Sequence, residues 1–418
     1  MTAVPAVLDV GPGGVEADIA EAYALVRAFD ADDRGPLAGD PHAEFAALRE
    51  RGAVHRSTLE RVFLGAEVSG ADVSGADALP VWHVVSYAAA ERVLRDEQAF
   101  SSSAYDDSMG RVIGRSFLEM DGHEHRVWKN ALHGGFHRHK VPELRARLRT
   151  DLVSRLRLLA DRGGGDLVAE VAFPAALTTI ADLIGFPPGT RVGTLYTWAV
   201  GLLDDTDGKI AGAMADWLGT PSAWPADSLV GRLLRCDDPE VGTGAELLPA
   251  VRLLLSTGTE PPFRSLATLM YVALADPRVL ETVRRDASRA SAVIEECRRW
   301  ESPLTWALRR CVADTELYGE RLGAGDLVCV NLASANRDGR RWARADRFDP
   351  DRPPRPHLAM GTGPHICLGR HLAALEAGEL VDALLRVTAT GRLPGVVLET
   401  DGVSGRGFRS PRRLVLRW

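Results

Sequence analysis

The chain has 418 residues, 45% of them hydrophobic, with 50 basic against 57 acidic side chains and a formal net charge of −7. That length and apolar share suffice for a large core, while the acidic balance and lack of a basic run argue against a nucleic-acid partner. No run of eighteen apolar residues occurs, and the N-terminus lacks a charged-then-apolar signal pattern. The expectation is therefore a cytoplasmic protein that does not enter a membrane. Five scattered cysteines, an odd number, imply no disulfide framework.

Glycine and proline break any pattern up to Gly39, so residues 1–39 read as a flexible N-terminal segment. Apolar spacing then predicts helices over His42–Arg51, Ala88–Arg95, Val141–Ala160, Ala175–Ile184 and Leu266–Ala275. Alternating runs predict strands at Val81–Tyr87 and Leu327–Asn331, and Gly65–Pro80 reads as a surface loop or hairpin. The segment Asp216–Pro221 breaks early with turn residues. No linker, repeat or low-complexity tract divides the remainder, so residues 40–418 are expected to form a single domain. The fold class is mainly α with small β-sheets.

Near the carboxyl end lies Met360-Gly361-Thr362-Gly363-Pro364-His365-Ile366-Cys367-Leu368-Gly369. Leu368, Leu372, Leu375 and Ala377–Leu380 continue it as an amphipathic helix whose positive end would face the sulfur and favour thiolate. Gly361 and Gly363 permit sharp turns, and Gly369 leaves room for a flat macrocycle beside the helix. A desolvated thiolate among amide donors suits an axial haem-iron ligand. An isolated cysteine more often behaves as a small buried hydrophobe. Zinc is a poor rival, since no second ligand pair stands at the needed spacing, and a cysteine nucleophile needs a partner histidine that spacing alone does not locate.

Further motifs stand in order around that cysteine. Glu296 and Arg299 are three apart and share a helical face. His125 and Lys129 are four apart with Trp128 beside them, a geometry able to reach two carboxylates. Together with the G-x-G-x-H-x-C-x-G loop, this set closely resembles the cytochrome P450 family of soluble bacterial type, over about Asp40 to Trp418.

The resemblance implies a cytochrome P450-like fold and a cytoplasmic oxidoreductase carrying haem b. Cys367 would ligate the iron, with His365 and Gly369 beside the macrocycle. His125, Arg309 and Lys129 would bind propionates; lysine here replaces the family's arginine, keeping the charge but losing the bidentate fork. Glu296, Arg299 and Arg347 would form a buried structural triad below the haem. Met360 stands where the family usually has phenylalanine, a more flexible filler behind the sulfur. Ferredoxin and its reductase would supply electrons, docking on a basic face made by Arg126, Lys129, Arg138, Lys140 and Arg370.

The informative departure is Leu253-Leu254-Leu255-Ser256-Thr257-Gly258-Thr259-Glu260-Pro261-Pro262. In the family a small-Gly-x-acid-Thr run on the central helix relays protons to dioxygen. This chain keeps Gly258 and Glu260, but Pro261 occupies the threonine position and offers neither hydroxyl nor amide hydrogen. A pronounced break is expected there. Either ordered water, Thr257 or Thr259 replaces the hydroxyl, or proton delivery is altered, with Gly258, Thr259 and Glu260 as the catalytic candidates and a buried Glu260 able to act alone as an acid.

Between Trp198 and Gly258 the chain reads as short for two roof helices, which would suit a bulky or carrier-tethered substrate. By resemblance, Val112, Ile113, Leu203, Leu254 and Thr257 line the pocket on one side. Leu304, Thr305, Trp306 and Phe408 line the other. The favoured function is oxidation of a small-molecule or carrier-bound intermediate of bacterial secondary metabolism. The alternatives are a haem-dependent isomerase or dehydratase, or a peroxide-driven oxidase.

Overall fold

The computed structural model describes residues 40–59, 79–136, 141–186, 190–202, 208–218, 224–236, 247–389 and 397–417, with a few isolated positions between and before them. Most of the expected N-terminal segment 1–39, the Gly65–Pro80 loop and Leu203 lie outside the described residues. Within that segment, Leu8–Asp9 pairs in parallel with Thr190–Arg191, and Tyr23 and Val26 are buried in the main core.

The elements that position the site are, in chain order, α1 (His42–Arg51), β1 (Val54–Thr58), β2 (Pro80–Val84), α2 (Tyr87–Arg95), β3 (Phe100–Ser101) and α3 (Gly122–His133). They continue as α4 (Val141–Arg162), α5 (Phe173–Ile184), α6 (Val192–Gly201), α7 (Lys209–Leu218), α8 (Leu247–Thr257) and α9 (Glu260–Ala275). Last come α10 (Ala290–Trp300), β4 (Trp306–Cys311), β5 (Leu327–Asn331) and α11 (Arg370–Ala389). All five helices and the Leu327–Asn331 strand expected from apolar spacing are present. The other expected strand ends at Val84, because Ser86 accepts a bond from the Ala89 amide and caps α2 instead.

The five strands form one sheet in the order β1-β2-β5-β4-β3, antiparallel except for the parallel β2–β5 pair. α2 covers it, burying Val93 and Leu94 with Val328 and Val330 in one apolar cluster. A larger cluster joins α3, α4, α5, α8, α9, α10 and α11. Helix α11 lies along α4, tied by Arg145 and Arg149 to Glu379 at 3.2 and 2.7 Å. The five-strand sheet thus delivers β4 to one side of the cysteine loop while the helical layer delivers α3 and α11 to the others. Among the described residues, no helix is long and apolar enough to cross a membrane, and no cluster of three or more His, Cys, Asp or Glu offers a metal site.

Candidate active site

The cysteine loop is held by its own backbone. The Cys367 amide donates to Met360 O at 2.9 Å and the Ile366 amide to Gly363 O at 3.1 Å. Gly363 sits at φ 73°, and a Cβ there would come within 2.9 Å of Arg95 Cα and also meet the Leu94 carbonyl, so the loop rests directly on the end of α2. Helix α11 opens three residues after the cysteine, at Arg370. Cys367 retains some accessible surface. The protein around it nevertheless pushes the thiol pKa up by desolvation, opposed by the Gly369 amide directed at the sulfur and by Arg298, Arg370 and Lys129. A metal that replaces the thiol proton removes that penalty. A Cβ at Gly369 would lie 3.9 Å from both Cys367 Sγ and Phe136, an open slot beside the sulfur.

Helix α3, β4 and the loop itself bring three basic side chains together: His125, Arg309 and His365. The rings of His125 and His365 stack with centroids 3.9 Å apart. His365 Nε2 donates to Asp121 Oδ1 at 3.1 Å, and Asp121 also accepts from Ser101 Oγ and the Ser102 amide. That network assigns the Nε2–H tautomer to His365. Its pKa lies below the usual value because burial outweighs the Asp121 partner, so the two are a hydrogen-bonded pair rather than an ion pair. Burial, reinforced by His365 and Lys129, lowers His125 to about 3. The buried His125 Nδ1 has no hydrogen-bond partner. Arg309 is buried on β4 and donates to the Leu308 carbonyl at 2.7 Å. A carboxylate placed among these groups would satisfy the orphaned Nδ1 and favour the charged forms of both histidine and arginine. The donor set fits a macrocycle bearing two carboxylates, with a sulfur for its metal.

Lys129 departs from the expected set. Its Nζ donates to the carbonyl of Pro364 and to Ile366 O at 3.0 Å, so it is committed to the cysteine loop.

The central helix breaks as expected. α8 ends at Thr257 and α9 begins at Glu260, with prolines in its first turn. A Cβ at Gly258 would overlap Ile180 and the Leu254 carbonyl, so α5 packs against the break itself. The candidate relay groups are largely engaged. Thr259 is buried and donates to Leu255 O at 2.7 Å. Glu260 is equally buried and pairs with Arg264 through Oε1 at 2.6 and 2.8 Å. That corrects the expectation of Glu260 as an independent acid: four residues apart on one helical face, the carboxylate and guanidinium neutralise one another in the core. Thr257 donates to Leu253 O at 2.6 Å but remains exposed.

The expected pocket residues fall into two sets. Ile113 and Leu254 are buried in the main core, with Val112 packed against it, and Arg252 of α8 donates to Ile113 O at 3.1 Å. Leu304 and Phe408 face each other in an antiparallel bridge, and the Thr305 amide donates to Gly407 O at 3.0 Å beside Trp306. Below the loop the triad also needs correcting. Glu296 and Arg299 pair at 2.7 Å, but the third member is Arg352, whose Nε reaches Glu296 Oε1 at 2.9 Å. Arg347 has an exposed side chain and contributes only its carbonyl, to Arg299 and Arg352. The resemblance pointed to the right segment and the wrong arginine. Of the expected basic face, Arg126 pairs with Glu97 at 3.8 Å and Arg370 donates to Cys367 O at 3.4 Å. Arg138 and Lys140 lie outside the described residues. Asp121, Phe136, Arg298 and Arg352 went unmarked as site residues; only their long-range contacts reveal them.

These features define a mainly helical protein whose cysteine loop and basic side chains fit a haem. Residues 289–387 match the family model for cytochrome P450. Cytochrome P450 107B1 of Saccharopolyspora erythraea is 32% identical over 283 residues, spanning 65% of this chain and 70% of that protein. The cytochrome P450 monooxygenase PikC of Streptomyces venezuelae is 29% identical over 439 residues, 100% of this chain and 95% of its own length. Among solved structures, the tirandamycin C-bound P450 monooxygenase TamI superposes with a TM-score of 0.76 at 25% identity, covering 90% of this chain and 97% of that one. The chain belongs to the cytochrome P450 family, and it is an enzyme of the monooxygenase class.

Proposed function

We propose that this chain is a haem b monooxygenase of bacterial secondary metabolism in which Cys367 would ligate the iron. His125, His365 and Arg309 would hold the propionates. When bound, the haem supplies the one-electron and dioxygen chemistry that side chains lack. The observation that carries the reading is the sulfur on a backbone-braced loop beside an orphaned, buried His125 Nδ1. Cys367→Ser should leave a folded protein whose ferrous carbonyl complex lacks the red-shifted Soret band of sulfur ligation. A band unchanged by that substitution overturns the assignment.

The substrate is a small natural product or a carrier-bound precursor. TamI holds tirandamycin C, and α6 and α7, the roof helices by resemblance, have ten described residues each. Short roof helices leave a wider mouth for a bulky ligand. Electrons come from a ferredoxin and its reductase in the cytoplasm.

Proton delivery is atypical. With Pro261 lacking a hydroxyl, Thr259 bonded to the backbone and Glu260 paired with Arg264, Thr257 Oγ1 remains the exposed hydroxyl at the break. It passes a proton inward only with water or a polar substrate group as its partner. Pro261→Thr is expected to raise the share of reductant recovered as product about twofold, well short of the roughly hundredfold a fully placed acid gives. Product formed per NADPH consumed with a surrogate ferredoxin pair measures it, and an unchanged ratio counts against the altered relay. Product formed without reductant or oxygen would instead favour a non-oxidative enzyme, and product formed with peroxide alone a peroxide-driven one.

A further inference from the structure

The basic residue one turn beyond His125 lies close to it but bonds elsewhere. His125 turns toward His365 and Asp121, whereas Lys129 sends its ammonium to the carbonyls of Pro364 and Ile366. Those two oxygens bracket the residues immediately before the sulfur, in a stretch that belongs to neither helix nor strand. The ammonium is half-buried, and its pKa is lowered by desolvation first and by Arg370 next, with Cys367 acting in the opposite sense.

We propose that Lys129 is a positioning residue for the cysteine loop rather than a propionate ligand. This rests on Cys367 being the axial ligand. A compact ammonium with three donors on a flexible stem can take two converging carbonyls, which the larger, planar guanidinium of arginine would have to approach differently. The pair of bonds fixes the backbone on the amino side of Cys367, as the Cys367–Met360 bond and the Gly369 amide fix it on the others. A positive charge beside the loop also favours thiolate over thiol and the reduced over the oxidised metal. Lys129 is near enough to His125 and His365 to influence their charge, but its ammonium bonds go to the loop, which leaves propionate recognition to those two histidines and Arg309.

The experiment compares wild-type holoenzyme with Lys129→Met and Lys129→Arg. Haem transfer to apomyoglobin reads propionate binding. The rate at which the ferrous carbonyl Soret band moves from its red-shifted to its blue-shifted position reads thiolate retention, and the iron midpoint potential reads the local charge. For Lys129→Met we expect haem transfer within about twofold of wild type, band conversion about tenfold faster, the factor that loss of one charge-assisted hydrogen bond gives, and a lower potential. Lys129→Arg should restore the potential but only part of the band stability. Faster haem transfer with a stable band and an unchanged potential in Lys129→Met would overturn the proposal in favour of a propionate contact. No change in any readout would overturn it outright. A wild-type enzyme without the red-shifted band would instead sink the Cys367 assignment, before any variant is made.

Discussion

Arg352→Ala is expected to destabilise the haem-loaded enzyme by about 3 kcal/mol, the lower end of the range for removing one partner of a buried ion pair. Arg347→Ala should cost within about 0.5 kcal/mol, as exposed substitutions usually do. The asymmetry follows from what each side chain reaches. Arg352 has a side chain only 10% exposed; besides Glu296 it donates to the carbonyls of Ala343 at 2.8 Å and of Arg344 and Arg347 at 3.1 Å each. It thereby fixes the segment that Arg299 holds from the other side through Asn336 O, Ala345 O and Arg347 O. Glu296 keeps Arg299 when Arg352 is lost, which is why the cost stays below that of an isolated buried charge. The two variants are compared by the midpoint of thermal haem release. Equal losses, or a greater loss for Arg347→Ala, would return the triad to the arginine that the motif suggested.

Glu376→Gln is expected to stabilise the enzyme at pH 8 and change little at pH 4.5. Glu376 lies on α11 with 1% of its surface exposed, and its Oε1 has no hydrogen-bond partner. Burial raises its pKa from 4.5 to about 8, opposed only by Arg298. From about pH 4.5 to about pH 8 the native state keeps a proton that the unfolded chain has released. Stability therefore falls as pH rises through that window and levels off above it, by up to about 5 kcal/mol. Glutamine mimics the neutral acid and carries no such penalty. The check is the ratio of haem-release rates of variant and parent at the two pH values. An equal ratio at both would show that the carboxyl is not held neutral.

Neither prediction was available from spacing alone. Arg347 and Arg352 stand five apart in one segment, and only the fold turns the second inward. Glu376 sits in an amphipathic helix where a single acid looks like an ordinary solvated position. Its isolation depends on α11 being covered by α4, α10 and α9 at once. The same holds for Glu260: its burial was expected, but its partner Arg264 one turn on was not, and the packing of α9 against α5 encloses the pair.

What the sequence determined by itself is everything whose cause is local. The glycines fix the cysteine loop, apolar periodicity fixes the helices, and two consecutive prolines fix the break after Thr257, because each acts within a turn or two of chain. The tertiary structure decided which charge meets which: Lys129 with the loop carbonyls, Arg352 with Glu296, Asp121 with His365, and Glu376 with no partner for its Oε1. A hydrogen bond or ion pair is satisfied only within about 3 Å, and that proximity is set by how distant elements pack.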